Sequence, residues 1–173
     1  LILPRGCEEA ALDFFKNNDV VARIDDKTNP GHMIEVEFNG TLYEEQKRAV
    51  EALEMHRCGT LYATTAFGKT VTAAALIARK KVNTLILVHT KALLDQWRER
   101  LGEYLSTDFQ PEEHPKRQGR RKKFQQFGAL SSTENTLNGK IDIALLQSCM
   151  SDNEVKQFVR DYGMVIVDEC HHA

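Results

Sequence analysis

The sequence has little of what marks several large classes of protein. Its 173 residues contain four cysteines without a C-x-x-C pair, and the first ten residues do not read as a secretory leader. Neither a disulfide framework nor a zinc knuckle is therefore expected, and a reducing, cytoplasmic setting is predicted. The longest apolar stretches are of strand length, far short of the roughly 20 residues that a membrane-spanning helix needs, so no membrane span is expected.

An excess of charge of either sign is also missing. The chain carries 23 Lys and Arg against 25 Asp and Glu, a formal net charge of -2, whereas a nucleic-acid binder with a broad basic surface would be strongly positive. Any contact with DNA or RNA must therefore be local. The 42% of hydrophobic and 28% of charged residues exclude a disordered or fibrous chain. At roughly 150 residues per domain, the length allows one domain and a short extra piece.

The spacing of apolar residues predicts an α/β fold in two parts. Residues 1–39 are predicted to form a small accessory piece, a helix followed by a hairpin of strands 20–24 and 34–38, which must pack on the rest because it has too little apolar surface to fold alone. From residue 40 helices and strands alternate, which indicates a mostly parallel sheet. The predicted strands are 60–63, 84–88, 141–146 and 164–167. Four helices are predicted: the first is capped by Thr41 and Glu44, the second and third span 69–80 and 91–105, and the fourth is capped by Ser151 and Glu154.

A basic segment at residues 112–126 interrupts this alternation. Prolines and a glycine accompany a run of Lys and Arg that includes Arg120 and Arg121, which predicts an exposed loop. Two interpretations stay open: a solvated connector, or an arm that contacts nucleic-acid phosphates.

The strongest local signal is a candidate phosphate-binding loop. Residues 63–70 read ATTAFGKT between a predicted strand and a predicted helix, which is the context that a P-loop needs. Backbone amides would surround the phosphates, Lys69 would reach the β and γ oxygens, and Thr70 would ligate Mg²⁺. The motif G-x-x-x-x-G-K-[ST] has Ala63 at its first glycine, so only Gly68 remains. A strand, turn and helix without a ligand is the alternative.

Two adjacent carboxylates form the second signal. Asp168 and Glu169 follow the apolar residues 164–167, where open parallel sheets place their ligands. An Asp there can hold Mg²⁺ through water, and a neighbouring Glu can orient and deprotonate an attacking water. The alternatives are a solvated strand end and a zinc site at the Cys-His-His residues 170–172. Three adjacent ligands on an extended chain cannot all face one metal, which argues against zinc.

In this order, the two signals resemble the first RecA-like domain of superfamily-two DEAD/DEAH-type helicases and translocases, over roughly residues 38–173. Residues 168–171, DECH, look like motif II, and residues 65–70, TAFGKT, look like motif I with Ala66 where most members have Gly. Three further segments match in family order: 42–49 is similar to the Q-motif segment of the restriction-enzyme and repair-helicase branch, 87–97 resembles motif Ia, and 143–148 resembles the strand and turn that faces the nucleic-acid backbone. The closest resemblance is to the helicases like the type III restriction subunit.

The resemblance implies a RecA-like, three-layer domain over residues 40–173 and an ATP-dependent DNA helicase or translocase, with RNA as the alternative substrate. ATP and Mg²⁺ would be its cofactors. In the family a second RecA-like domain completes the ATP site, and this chain ends directly after motif II. We therefore expect a piece of a longer protein, which alone binds nucleotide weakly and does not unwind DNA. A nucleotide-gated binding or scaffold module with weakened catalysis is the second hypothesis, and a P-loop kinase or transferase is the third.

The resemblance also assigns roles to individual residues. The catalytic residues would be Lys69, Asp168 and Glu169, and the Mg²⁺ ligands Thr70 and Asp168. The nucleotide would contact Gln46, which would read the adenine edge, together with Thr65, Ala66, Phe67, Gly68, Lys69, Thr70 and His171. The nucleic acid would contact Thr90, Lys91, Gln147 and Ser148, together with Arg120 and Arg121 of the basic loop.

Structural alternatives remain for several of these residues. Gln46 is otherwise a surface residue of its helix, and Thr90, Gln147 and Ser148 are otherwise helix caps and turn residues, because capping and phosphate binding use the same groups. The helical register favours Trp97 as a core anchor over a base-stacking platform. Ala66 is tolerated if its backbone avoids positive φ, and otherwise weakens nucleotide binding.

Overall fold

Helices and strands alternate along most of the chain. The computed structural model describes residues 7–109, 126–152 and 154–170. In these ranges the elements are, in order, α1 (Glu8–Asn17), β1 (Val36–Phe38), α2 (Glu44–Met55), α3 (Lys69–Lys80), β2 (Thr84–Val88), α4 (Lys91–Tyr104), β3 (Leu105–Thr107), β4 (Gly128–Leu130), β5 (Ile141–Leu145), β6 (Met150–Ser151), β7 (Glu154–Val155) and β8 (Met164–Val167). The predicted residues Arg120, Arg121 and His171 lie outside the described residues, as does all but the last residue of the predicted basic loop.

Four parallel strands in the order β4-β5-β2-β8 form the main sheet. β2 pairs with β5 on one side and with β8 on the other, so that Leu87 lies opposite both Ala144 and Val167. Since all four strands run in one direction, their carboxyl ends meet at one edge of the sheet. The predicted α/β class with a parallel sheet is thereby confirmed.

The larger part of the core lies between this sheet and the helices α3 and α4. Alternate residues of a strand face opposite sides, and Ile86 and Val88 of β2 point to these helices while Leu85 points to the other face. Ala74 and Ala75 of α3 are buried, because small side chains let the helix approach the sheet closely. On the opposite face, a smaller cluster includes residues of a 3-10 helix, Gln157–Asp161.

The N-terminal prediction was partly wrong. The helix forms as α1, but residues 20–24 are not a strand, and β1 pairs antiparallel with β3 instead of forming a hairpin. The reason is burial, since Ile34 and Val36 enter the main core whereas Val21 is exposed. The helix α2 begins at Glu44, so Thr41 and Glu44 do not form its cap as predicted.

Two other predicted elements are absent where the sequence placed them. Residues 60–63 are not a strand, and the apolar Tyr62 among them is fully solvent-exposed. The helix predicted after Ser151 is replaced by the antiparallel pair β6 and β7 and the 3-10 helix that follows. The strand at 164–167 was correctly predicted but is not fully buried: β8 is an edge strand, and Val165 and Val167 point outward.

No helix within the described ranges is long and apolar enough to cross a membrane.

Candidate nucleotide and nucleic-acid site

The candidate site lies along the edge where the parallel strands end. Asp168 and Glu169 follow β8, Thr90 follows β2 within two residues, and Gln147 follows β5. The strand register places these ends side by side, because Val88 pairs with Leu145 and Leu87 with Val167. Open parallel sheets bind ligands at this edge. Tertiary structure thus brings together predicted residues that lie far apart in sequence.

The predicted phosphate loop is a tight turn that leads into α3. A 3-10 helix, Thr65–Phe67, is followed by Gly68 with φ 85°, and α3 begins at Lys69. Only glycine adopts this left-handed conformation without strain. Gly68 has no side chain with which to cap α3, so the amides of the first turn are left for a ligand; such amides and the helix dipole attract phosphate.

The open question about Ala66 is answered at the level of the backbone. Ala66 is the middle residue of the 3-10 helix, and it is not among the described residues with positive φ. An alanine therefore fits this loop without the strain that a left-handed conformation would impose.

Gln46 is buried, at 4% exposure, and links α2 to the phosphate loop. Its amide nitrogen donates to the carbonyl oxygen of Phe67 at 2.7 Å, and its amide oxygen accepts from the backbone nitrogen of Tyr43 at 2.9 Å. The alternative of a simple surface position is therefore wrong. A glutamine amide has two N–H donors and two oxygen lone pairs, so one of each remains available to bond another group.

The loop that leads into α3 and the carboxylates after β8 come together at Lys69 and Glu169. The Lys69 Nζ lies 3.7 Å from the Glu169 Oε1, and each side chain is about one-third exposed. In an accessible position such an ion pair contributes little to stability, so its main significance is geometric. It places the first turn of α3 directly beside the end of β8.

The carboxylates after β8 are held by well-defined contacts. The Asp168 backbone nitrogen donates to Leu87 at 3.0 Å, and the Asp168 Oδ1 accepts from the backbone nitrogen of Glu169 at 3.0 Å. Glu169 has φ 51°, an uncommon value for a residue with a side chain. Such outliers persist where the surroundings fix them, and they cluster at functional sites.

The predicted nucleic-acid residues after β2 already have partners. The Thr90 hydroxyl caps α4 by accepting from the Leu93 backbone nitrogen at 3.2 Å, which leaves the hydroxyl proton free to be donated to another acceptor. Lys91 forms ion pairs with Asp95 at 3.0 Å and with Glu134 at 3.3 Å. The cap is thus present at Thr90, and Lys91 is neutralised in the absence of a ligand.

Glu134 is the centre of a small charged cluster that the sequence did not reveal. Its carboxylate also accepts from Arg98 at 2.9 Å. Partial burial would raise the pKa of Glu134, but the charges of Arg98 and Lys91 outweigh that effect and hold the pKa below its usual value. Sequence gave no signal for this cluster, because α4 and the loop that follows β4 are far apart in the chain.

Gln147 and Ser148 lie in a 3-10 helix, Leu146–Cys149, directly after β5. Gln147 is exposed, and the carbonyl oxygen of Ser148 accepts from Lys156 at 2.9 Å. The predicted strand and turn are therefore present at this position. Both residues remain candidates for contact with a nucleic-acid backbone.

Trp97 also lies at the site, although its helical register favoured a core anchor over a base-stacking platform. It is indeed buried, but its indole nitrogen also donates to the Asp168 Oδ2 at 2.7 Å. Helical register predicts the burial, whereas nothing in the sequence pairs this residue with Asp168.

The residues present suit a nucleotide and a magnesium ion. The glycine turn and the first turn of α3 suit phosphates, while Lys69, Thr70 and Asp168 supply an ammonium, a hydroxyl and a carboxylate. Mg²⁺ usually takes only one or two carboxylates and completes its shell with water and phosphate oxygens. Within the part of the chain that is described, no three His, Cys, Asp or Glu side chains are grouped as a metal cluster.

Comparison with known proteins identifies the family. The family model "Type III restriction enzyme, res subunit" matches residues 39–173. A protein of Invertebrate iridescent virus 3 named "Putative helicase 109L" is 30% identical over 141 residues, which cover 78% of this chain and 39% of that protein. The "DNA 3'-5' translocase XPB2" of Sulfurisphaera tokodaii is 29% identical over 131 residues, which cover 76% of this chain and 25% of that protein.

The chain thus spans about a quarter to two-fifths of the length of these relatives. The family match covers most of the chain and includes the parallel sheet, the glycine turn and the carboxylates after β8. The chain therefore belongs to the family of the type III restriction enzyme res subunit, and within it corresponds to the first RecA-like domain of a superfamily-two helicase.

Proposed function

We propose that this chain is the ATP-binding lobe of an ATP-dependent DNA helicase or translocase. Hydrolysis of ATP would drive movement along, or opening of, duplex nucleic acid. The relative named as a helicase and the one named as a DNA translocase support this proposal, and the second favours DNA over RNA. Their greater length supports a second domain, contributed by a longer protein, that completes the ATP site.

The observation that carries the proposal is the proximity of Lys69 to Glu169 at 3.7 Å. Phosphoryl transfer needs little covalent chemistry from a protein; it needs positioned groups and charge stabilisation. A cation at the start of a helix beside a carboxylate that can accept a proton supplies both. A P-loop without a neighbouring carboxylate would bind phosphate but would offer no base for the attacking water.

In this proposal each residue has one role. Lys69 stabilises the β and γ oxygens of the nucleotide, and the amides of residues 66–70 bind phosphate. Thr70 and Asp168 hold Mg²⁺, which when bound offsets negative charge on the phosphates. Glu169 orients the attacking water and accepts its proton. Gln46 contacts the adenine edge through its remaining N–H and lone pair while it holds the loop.

The nucleic acid would lie across the ends of β2 and β5. Thr90, Gln147 and Ser148 would donate to its backbone, and Lys91 would exchange its carboxylate partners for phosphate. Contacts of this kind fix the position of a duplex without reading its sequence. They need no large positive net charge, which agrees with the charge of -2.

The test is ATP turnover by Lys69→Ala and Glu169→Gln variants, with duplex DNA, single-stranded DNA and RNA compared. It should be run on the 173-residue chain and on any longer protein that contains it. Glu169→Gln should lower turnover by about 10²–10⁴-fold and preserve nucleotide binding, because only the proton acceptor is lost. Lys69→Ala should weaken binding as well.

Matched controls are Lys80→Ala at the other end of α3 and Glu103→Gln in the last turn of α4, which remove the same charges away from the site. Both should retain turnover. Turnover that ignores nucleic acid and transfers phosphate to a small molecule would instead indicate a kinase or transferase. Nucleotide binding without turnover in every form of the protein would support the binding or scaffold module.

A further inference from the structure

The single tryptophan of the chain connects the core to the carboxylate that is proposed to hold metal. Trp97 lies in α4 at 3% exposure, and its Nε1–H donates to the Asp168 Oδ2 at 2.7 Å. An indole has one donor and no acceptor, and a buried indole usually finds a partner. Here that partner is Asp168 instead of a backbone carbonyl.

With this contact, three hydrogen bonds fix Asp168 before any ligand binds. The Asp168 backbone is bonded to Leu87, Oδ1 accepts from the Glu169 backbone nitrogen, and Oδ2 accepts from Trp97. Since each carboxylate oxygen is held by a different group, the carboxylate cannot rotate about its terminal torsion without losing a hydrogen bond.

The chemical nature of the donor also matters. An arginine or lysine in this position would hold the carboxylate but would offset the negative charge that attracts a cation. An indole N–H is neutral, so Asp168 keeps its charge, and each of its oxygens keeps a lone pair for a metal or for metal-bound water. Neighbours of this kind, which orient a metal-binding group, usually affect metal affinity strongly.

We propose that Trp97 is a positioning residue for Mg²⁺ binding at Asp168 and acts through its indole N–H. This inference rests on the proposed function, in which Asp168 binds Mg²⁺. The buried position of Trp97 serves the same purpose, because packing in the main core fixes the indole ring, and the ring fixes the carboxylate.

The first test uses Trp97 as its own reporter, because the chain has one tryptophan and therefore one indole N–H resonance. The resonance is followed by ¹⁵N-labelled NMR of the whole chain with ADP and EDTA, and then with ADP and Mg²⁺. We expect a shift on addition of Mg²⁺ that ADP alone does not produce. An indole resonance that does not respond to Mg²⁺, in a chain that binds Mg²⁺ and ADP, overturns the inference.

The second test compares Trp97→Phe with a variant that carries benzothienylalanine at position 97, which keeps the shape of the indole and lacks its N–H. The affinity for Mg²⁺ in the presence of ADP should fall by about 10-fold in both, while the affinity for ADP in EDTA stays unchanged. Benzothienylalanine keeps the test valid if Trp97→Phe fails to fold.

Leu101→Ala is the control, because Leu101 is buried in the same helix and core and has no polar group. It should lower stability without changing the affinity for Mg²⁺. Unchanged Mg²⁺ affinity in the benzothienylalanine variant refutes the role of Trp97. A wild-type chain, and a longer protein containing it, that bind no nucleotide with Mg²⁺ contradict the proposed function itself, so the two failures are distinct.

Discussion

At the scale of single residues, Asp142 shows how a buried charge is accommodated away from the site. It is the second residue of β5, at the opposite edge of the sheet, and is completely buried. Its carboxylate accepts from the Tyr162 hydroxyl at 2.5 Å and from the backbone nitrogens of Asn138 and Gly139. A buried carboxylate is stable only when hydrogen bonds of this kind replace water.

The burial of Asp142 sets the direction of a pH effect. Burial raises the pKa of Asp142 above its usual value, although the hydrogen bonds from Tyr162, Asn138 and Gly139 oppose the shift. The native state therefore binds the proton more tightly than the unfolded state. Through this group, the free energy of unfolding falls as pH rises from about 4, the usual pKa of an aspartate, through the folded pKa.

Tyr162→Phe should lower the free energy of unfolding by about 1.5–3 kcal/mol at a pH above the raised pKa of Asp142, because a buried charge then loses a hydrogen-bond donor. The loss should be smaller at a pH below that raised pKa, where the Asp142 carboxyl is protonated. Urea unfolding at both pH values measures the difference. Tyr104→Phe is the control, since its ring stacks on Phe38. An equal loss at both pH values would contradict the assigned hydrogen bond.

At the scale of elements, the start of α3 depends on the one glycine of the phosphate loop. Gly68 adopts φ 85°, and a β-carbon built there would lie 2.6 Å from the Gln46 Nε2. The position is thus restricted twice, by backbone conformation and by the side chain that links α2 to the loop.

Gly68→Ala should destabilise the chain by at least about 1–2 kcal/mol, the cost of a left-handed conformation for a residue with a side chain. It should also weaken nucleotide binding, because the loop must move away from Gln46. Thermal unfolding and ADP binding measure the two effects. The Gln46→Ala, Gly68→Ala double variant has no clash, so its losses should be smaller than the sum of the two single losses. Losses equal to that sum would argue against the clash.

At the scale of the whole molecule, the N-terminal helix is not part of the core, whereas the residues around β1 are. The helix α1 contributes no buried residue, whereas Ile34 and Val36 belong to the main core and β1 pairs with β3. Where the accessory piece ends and the RecA-like domain begins remains a prediction, and burial offers a way to test it.

Deleting residues 1–19 should change the free energy of unfolding by no more than about 0.5 kcal/mol, because none of the described residues among them is buried. Deleting residues 1–38 should cost about 3–6 kcal/mol, because two buried aliphatic side chains are lost at roughly 1.5–3 kcal/mol each. Urea denaturation compares the two deletions. Equal stabilities would place the whole of residues 1–38 outside the cooperative unit.

Much of this architecture was accessible from local sequence pattern. α3, α4, β2 and β5 formed at or within a residue of their predicted bounds, because their apolar periodicity is long and regular. Two of the failures were short apolar segments whose state depends on a partner strand. Residues 20–24 and 60–63 have strand-like composition, yet a strand forms only where another strand offers hydrogen bonds.

Asn83 illustrates what local pattern cannot predict. Asn83 directly precedes β2 and is buried. Its side-chain oxygen accepts from the backbone nitrogens of His32 and Gly163, and its side-chain nitrogen donates to the carbonyl oxygens of Gly139 and Asp161. The four partners come from three separate parts of the chain, so only the folded arrangement gives the amide its role.

By itself, the sequence determined the α/β class, the main helices and central strands, the glycine turn before α3 and the paired carboxylates, because periodicity and motif spacing are local properties. Tertiary structure alone decided which of these meet. It placed Lys69 beside Glu169, brought the Gln46 amide into hydrogen-bond contact with Phe67 of the loop, and brought the Trp97 indole into hydrogen-bond contact with Asp168. These contacts join residues from different elements, and their geometry follows from strand order and helix packing, which no local pattern encodes.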